Sequence, residues 1–341
     1  MQIATCTLSG FPGSGVTFQT EGKLMKKILF ATAALVAGGI SAPQIASAQS
    51  VSAGNAEITL GGYARFGVGY NEDRAEESII ISRFRLNINA AVELDSGVRL
   101  AATVRGQSDE NSDGTAGALT FGGARFQVSS GGLRVRVGNI SGVFDDSGTI
   151  RPFADVGLEG QVGMVSSFGF PGPAFGNGSA NNGVLVNYNF GDLKLAASYV
   201  ADNQNTNGDE DVQFGVGYSF GDYNIGALVG RTETAAGADN DYYLLSLDGS
   251  IGAFGFAAVV GENDNTSSDT AYGFSVNYDI GAATNIQLVY NGGGVADLPG
   301  NDDGVAVGFT HQLGAGARVQ GFIGQNNSGS TIADLGVRFN F

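Results

Sequence analysis

From residue 58 to the C-terminus, apolar and polar residues alternate one for one through a long series of short segments. In the last of them Ala333, Leu335, Val337, Phe339 and Phe341 alternate with Asp334, Gly336, Arg338 and Asn340. A period of two sends successive side chains to opposite faces of a strand, here one greasy and one wet. The alternation recurs in 58–70, 80–90, 98–104, 124–128 and 133–137, then in 184–190, 193–199, 212–220, 223–229, 243–247 and 254–260. It continues through 272–280, 284–290, 305–313, 317–323 and the C-terminal segment, sixteen predicted strands in all.

The connections alternate too. Gly191-Asp192, Gly221-Asp222, Gly281-Ala282-Ala283 and Gly314-Ala315-Gly316 read as tight turns, where glycine accepts positive φ. The links between them, at 203–211, 262–270 and 292–303, are longer, polar and rich in acids. Short turns at one end and long loops at the other predict an all-β fold, a sixteen-stranded antiparallel transmembrane β-barrel of the outer-membrane kind. A soluble β-sandwich also alternates, but it would leave as many glycine- and polar-rich faces in water as it has strands. Tyr188, Phe190, Tyr218, Phe220, Tyr223 and Tyr278 sit beside the short turns, where a barrel needs its interfacial aromatic girdle.

Upstream of the strands, Lys26 and Lys27 precede an apolar run from Ile28 to Ile40, and Ala46-Ser47-Ala48 follows. That order is a secretory signal peptide at 25–48, cut before Gln49. The apolar run is too short for a membrane-spanning helix, which needs about 20 residues. Residues 1–24 read as an upstream extension from a mis-assigned start codon, which leaves 49–341 as the mature barrel.

Composition narrows the class. Glycine supplies 56 of 341 residues without a three-residue period, which fits many short strands and excludes collagen. A net charge of −16 argues against nucleic acid as a partner. Cys6 is the only cysteine, so no intrachain disulfide is possible.

Leu60-Gly61-Gly62-Tyr63-Ala64-Arg65-Phe66-Gly67, followed by Glu72-Asp73-Arg74, resembles the first strand of alphaproteobacterial general porins of the Rhodobacter type. Ile79-Ile80-Ile81-Ser82-Arg83-Phe84-Arg85-Leu86-Asn87-Ile88 is similar to their second strand, and Ala333 to Phe341 to their C-terminus. The resemblance implies a sixteen-stranded homotrimeric barrel with a third extracellular loop folded inward to narrow the pore. It also implies that Phe341 is the terminal aromatic through which such barrels are recognised for assembly. The Phe341 carboxylate and strand edge are expected to close the cylinder near Ile58–Leu60.

The longest irregular segment, 141–182, lies after the fifth strand, at the position of that constriction loop. Loops this long are functional or disordered as a rule, and Phe144, Ile150, Phe153, Val156, Leu158, Met164, Phe168, Phe170 and Phe175 make it too apolar for disorder. Folding into the lumen is the expected arrangement; capping the barrel or packing at a subunit contact is the alternative. By parity Arg65, Arg83, Arg85, Arg99, Arg105, Arg125, Arg134 and Arg136 of the first five strands all face the lumen, with Arg99 and Arg134 near the turns. Asp145, Asp146, Asp155 and Glu159 lie in the loop and can face this arginine wall. The expectation is a transverse field across a water-filled eyelet that sets ion selectivity. The alternative is local solvation or pairing of each arginine.

His311 lies on the outer parity near a short turn, an interfacial position rather than part of a hydrolase triad. Asp209-Glu210-Asp211, Asn263-Asp264-Asn265 and Asp302-Asp303 read as solvated loop acids with no EF-hand spacing. No cofactor is expected beyond calcium weakly bound there, and lipopolysaccharide is the expected outer partner. The function read from the sequence is passive diffusion of ions and small hydrophilic solutes across the outer membrane, without enzymatic chemistry. A sugar-selective channel and a non-conducting adhesin or structural anchor are the competing readings.

Overall fold

The alternating segments form strands β1 (Gln49–Ala53), β2 (Ala56–Asn71), β3 (Ser78–Glu93), β4 (Arg99–Asp109), β5 (Thr120–Phe121), β6 (Arg125–Ser130) and β7 (Leu133–Gly138). A short helical turn, α1 (Val143–Asp146), and the two-residue strands β8 (Asp155–Val156) and β9 (Val162–Gly163) belong to the long loop. Then come β10 (Asn182–Phe190), β11 (Leu193–Ala201), β12 (Glu210–Phe220), β13 (Tyr223–Glu233), β14 (Asp239–Ile251), β15 (Phe254–Asn263) and β16 (Ala271–Ile280). The chain ends with β17 (Thr284–Gly292), β18 (Gly304–Gly314), β19 (Ala317–Gln325) and β20 (Thr331–Asn340). This computed structural model describes residues 49–341 apart from 54, 112, 147, 151–154, 170–174, 176–181, 202–209, 234–238 and 265–269. The expected extension and signal peptide lie outside the described residues.

Strands β2–β4, β6, β7 and β10–β20 pair antiparallel with their chain neighbours, and β20 returns to β2, so sixteen strands close into a barrel. Closure removes the free edges an open sheet would expose. The greasy parity faces outward: Phe66, Phe214 and Leu245 are all more than half exposed. So continuous an exposed apolar surface fits lipid rather than water. At the short-turn end Phe220 stacks between Tyr218 and Tyr223, with centroids 6.3 and 5.7 Å away.

The closure differs in register from the sequence expectation. Phe341 pairs with Gly62, exchanging backbone hydrogen bonds of 2.8 and 3.1 Å. Ile58–Leu60 are instead paired by β1, whose Gln49–Val51 lie opposite Leu60–Ile58. The reason is length: β2 has sixteen residues and β20 only ten, so β20 and β1 divide one edge of β2 between them.

The lumen is not lined by polar residues alone. The long loop folds inward, and its Val143, Ile150, Val156, Val162, Met164 and Phe168, with Ile140 just before it, are buried against inward-facing Leu185, Leu228, Leu244, Val259, Val289 and Ile332. These wall positions break the alternation, as in Val184-Leu185-Val186, because both faces of the wall are apolar where the loop lies on it. The loop backbone also lies flush on the wall at inward glycines: a Cβ on Gly273 would sit 2.0 Å from the Met164 carbonyl oxygen.

Backbone polar groups carried into the barrel need partners, and polar wall residues supply them around the circumference. Ser198 accepts from Val143 N at 3.2 Å, and Gln213 from Phe144 N at 2.8 Å. Asn263 donates to the Phe168 and Gly169 carbonyls at 3.0 and 3.1 Å, and Asn291 to the Gly163 carbonyl at 2.9 Å. Asp334 accepts from Leu158 N and Glu159 N at 2.7 and 2.8 Å. Two supposed loop acids or amides are therefore wall residues. Asn263 is a loop anchor, and Asp211 is buried in β12, accepting from Tyr242, Thr232 and Gln213 at 2.7, 3.0 and 2.8 Å. Asp209 and Asn265 lie outside the described residues.

Candidate functional site

The site grows out of strand register across the seam. Arg65 on β2 lies directly opposite both Arg83 on β3 and Arg338 on β20, and Arg338 lies opposite Arg318 on β19. Four arginines thus share one level on four adjacent strands, about 4.8 Å apart from strand to strand. Like charges directly opposite one another repel. The row is braced at one end, where Arg83 makes an ion pair with Asp109, its own cross-strand partner on β4. Arg85 donates to Gln107, which donates to Asp109 at 2.6 Å. Tyr63 is the common platform: its hydroxyl accepts from Arg83 at 3.3 Å, and Arg85 and Arg338 sit 5.1 and 3.8 Å from its ring centroid.

Facing this wall is the loop segment 155–160. Arg65, Arg83, Arg318 and Arg338 line a cavity of about 300 Å³ together with Tyr63, Asp155 and Glu159. The segment is held there by Asp334, by Gln320 donating to the Gly157 carbonyl and by Arg65 donating to the Leu158 carbonyl. Burial, and then the neighbouring Glu110 carboxylate, push the Glu159 carboxyl up from its usual range, with Arg65 opposing.

The structure therefore brings together Arg65, Arg83, Arg85, Asp155 and Glu159 of the residues singled out from sequence. It places the others elsewhere. Arg105 and Arg125 flank the Phe175 ring at 4.4 and 4.0 Å, and Arg105 donates to the Phe175 carbonyl at 2.6 Å, so both hold the returning limb of the loop. Arg136 is buried and donates to Gln127 at 3.2 Å. Arg99 pairs with Glu57 at 3.7 Å, next to the β3–β4 turn. Arg134, on β7, lies opposite Asn187 of β10. Asp145 belongs to α1, which packs on β11 and β12, away from the arginine row; the Asp146 side chain lies outside the described residues.

Arg318 and Arg338 lie outside the first five strands, whose arginines form the wall expected from the sequence. The wet parity of β19 and β20 already marked both, and closure of the barrel brings them beside Arg65. His311 is exposed, with Nδ1 2.8 Å from the Thr284 hydroxyl. Among the described residues no three His, Cys, Asp or Glu side chains converge as a metal site.

The chain matches the Gram-negative porin family over residues 31–331. It is 34% identical to a porin of Fuscovulum blasticum over 303 residues, which is 84% of this chain and 100% of that protein. Among solved structures, a variant of the Rh. blastica porin superimposes with a TM-score of 0.73 at 26% identity, and a second variant with 0.71 at 27%. Each covers 83% of this chain and 100% of its own. A barrel closed around an inward loop, with a charged gap between loop and wall and that kinship over most of its length, belongs to the Gram-negative porin family: the chain is an outer-membrane channel.

Proposed function

We propose that this porin passes ions and small hydrophilic solutes through an eyelet between the seam arginines and loop segment 155–160, and that the eyelet favours anions. The observation that carries this reading is the opposed row of four arginines, which has a single carboxylate, Asp109, at its own level on the wall. The excess of acids in the whole chain does not oppose it, since exposed charges more than a Debye length from the eyelet are largely screened. A unit charge about 8 Å from a passing ion contributes ~0.5 kcal/mol in water, roughly a twofold change in local ion concentration. Each charge acts with opposite sign on anions and cations, so replacing Arg83 and Arg85 together by glutamine shifts the anion-to-cation permeability ratio toward cations by about sixteenfold. Unchanged reversal potentials in a salt gradient would sink the assignment.

The same reading makes the protein a homotrimer. Strands β6 and β7 have six residues each, whereas a strand crossing the hydrocarbon needs about 9–11. Phe126 and Val128 on β6 are 55% and 48% exposed. A neighbouring protomer covers this short stretch of wall better than lipid can. Lipopolysaccharide is the partner expected at the acidic rim, where divalent cations bridge its phosphates to carboxylates such as those of Asp302 and Asp303.

A further inference from the structure

We infer that the seam carries a saturable oxyanion site, formed by Arg65, Arg318 and Arg338, that takes phosphate or a phosphomonoester in preference to chloride. The inference rests on the eyelet reading above and gives that eyelet a ligand.

The arginines of the wall divide by their partners. Arg83 and Arg85 are pinned to β4 through Asp109 and Gln107. Across the seam the arrangement is different. Arg65 is only 6% exposed, gives Nη1 to the neutral Leu158 carbonyl, and its buried Nε has no partner. Arg318 donates to the neutral Gln320 amide at 2.6 Å. Arg338 leans on the Tyr63 ring, and its buried Nε also lacks an acceptor. Among the described residues none of the three makes an ion pair.

Three guanidinium groups at one level of three adjacent strands repel one another, and buried N–H groups without acceptors are costly. One multiply charged oxyanion relieves the repulsion, because its oxygens accept from several planar forks at once. Chloride brings a single charge and no directional match. The Tyr63 ring already carries two guanidinium groups, which argues against sugar stacking at this point. Glu159 and Asp155 on the other side of the cavity weaken anion binding, which suits a site that must release its occupant for transport.

Chloride current through the purified protein in planar bilayers, titrated with inorganic phosphate, tests the site. The expected result is saturable block, with Arg318→Gln/Arg338→Gln still conducting and blocked only at roughly tenfold higher phosphate or more. Arg231→Gln, an exposed residue paired with Asp241, serves as the control with unchanged block. Current that falls only in proportion to the chloride replaced, or equal block in the double variant, overturns the site. Calorimetric titration of the detergent-solubilised protein with phosphate is the second readout, and absence of saturable heat overturns it as well. A protein silent in bilayers contradicts the pore reading, and calorimetry then decides the site separately.

Discussion

At the scale of single residues, Glu159 and Asp334 show how the eyelet is both charged and held. Glu159 faces the Arg65 side of the cavity with its carboxyl pushed up by burial and by Glu110. A raised carboxyl takes its proton at higher pH than a free glutamate. Anion preference is therefore expected to rise as pH falls, beginning above the ordinary glutamate range. In Glu159→Gln that early rise shrinks to the part carried by Asp155, whose carboxyl in the same cavity is also pushed up by burial, which reversal potentials measured against pH will show. Asp334 accepts two loop N–H groups at once. Asp334→Ala leaves both without their acceptor at about 1–3 kcal/mol each, so single-channel records of the variant should flicker between conductance levels. Steady openings like those of the parent would show that the loop does not depend on this anchor.

At the scale of elements, the strands were legible because each keeps a period of two, and turns such as Gly191-Asp192 and Gly221-Asp222 end them with φ near +58° and +59°. The loop was legible by length and apolarity. Its contacts were not, since they depend on which wall residues it meets. Even so, the signals were present: Leu185, Leu244 and Val289 interrupt the wet parity, and inward Gly226 and Gly273 leave room for loop backbone. Asp211 and Asn263 were misread because polar clusters beside long links look like solvated loops, whereas the strands run further than their apolar residues do. Gly273→Val places side-chain atoms where the Met164 carbonyl lies, so it should displace the loop and raise single-channel conductance, with the barrel's β-sheet circular dichroism unchanged. Parental conductance in this variant would mean that the loop does not set the bore.

At the scale of the whole molecule, closure makes the site. Arg318 and Arg338 are more than two hundred residues from Arg65 in sequence and adjacent to it in space only because β20 returns to β2. The same closure explains Phe341, whose ring stacks on Phe84 with centroids 5.5 Å apart and planes at 18°. Deleting Phe341 is expected to lower the yield of assembled protein before it alters conductance, a difference that heat-modifiable gel mobility can read. The central claim is that the seam arginines, rather than the abundant rim acids, govern which ions pass. Its most direct test is the zero-current potential of the unmodified protein in a planar bilayer across a potassium chloride gradient. The dilute side becomes negative if chloride passes preferentially, as the arginine row requires; a positive dilute side, marking cation preference, would contradict it.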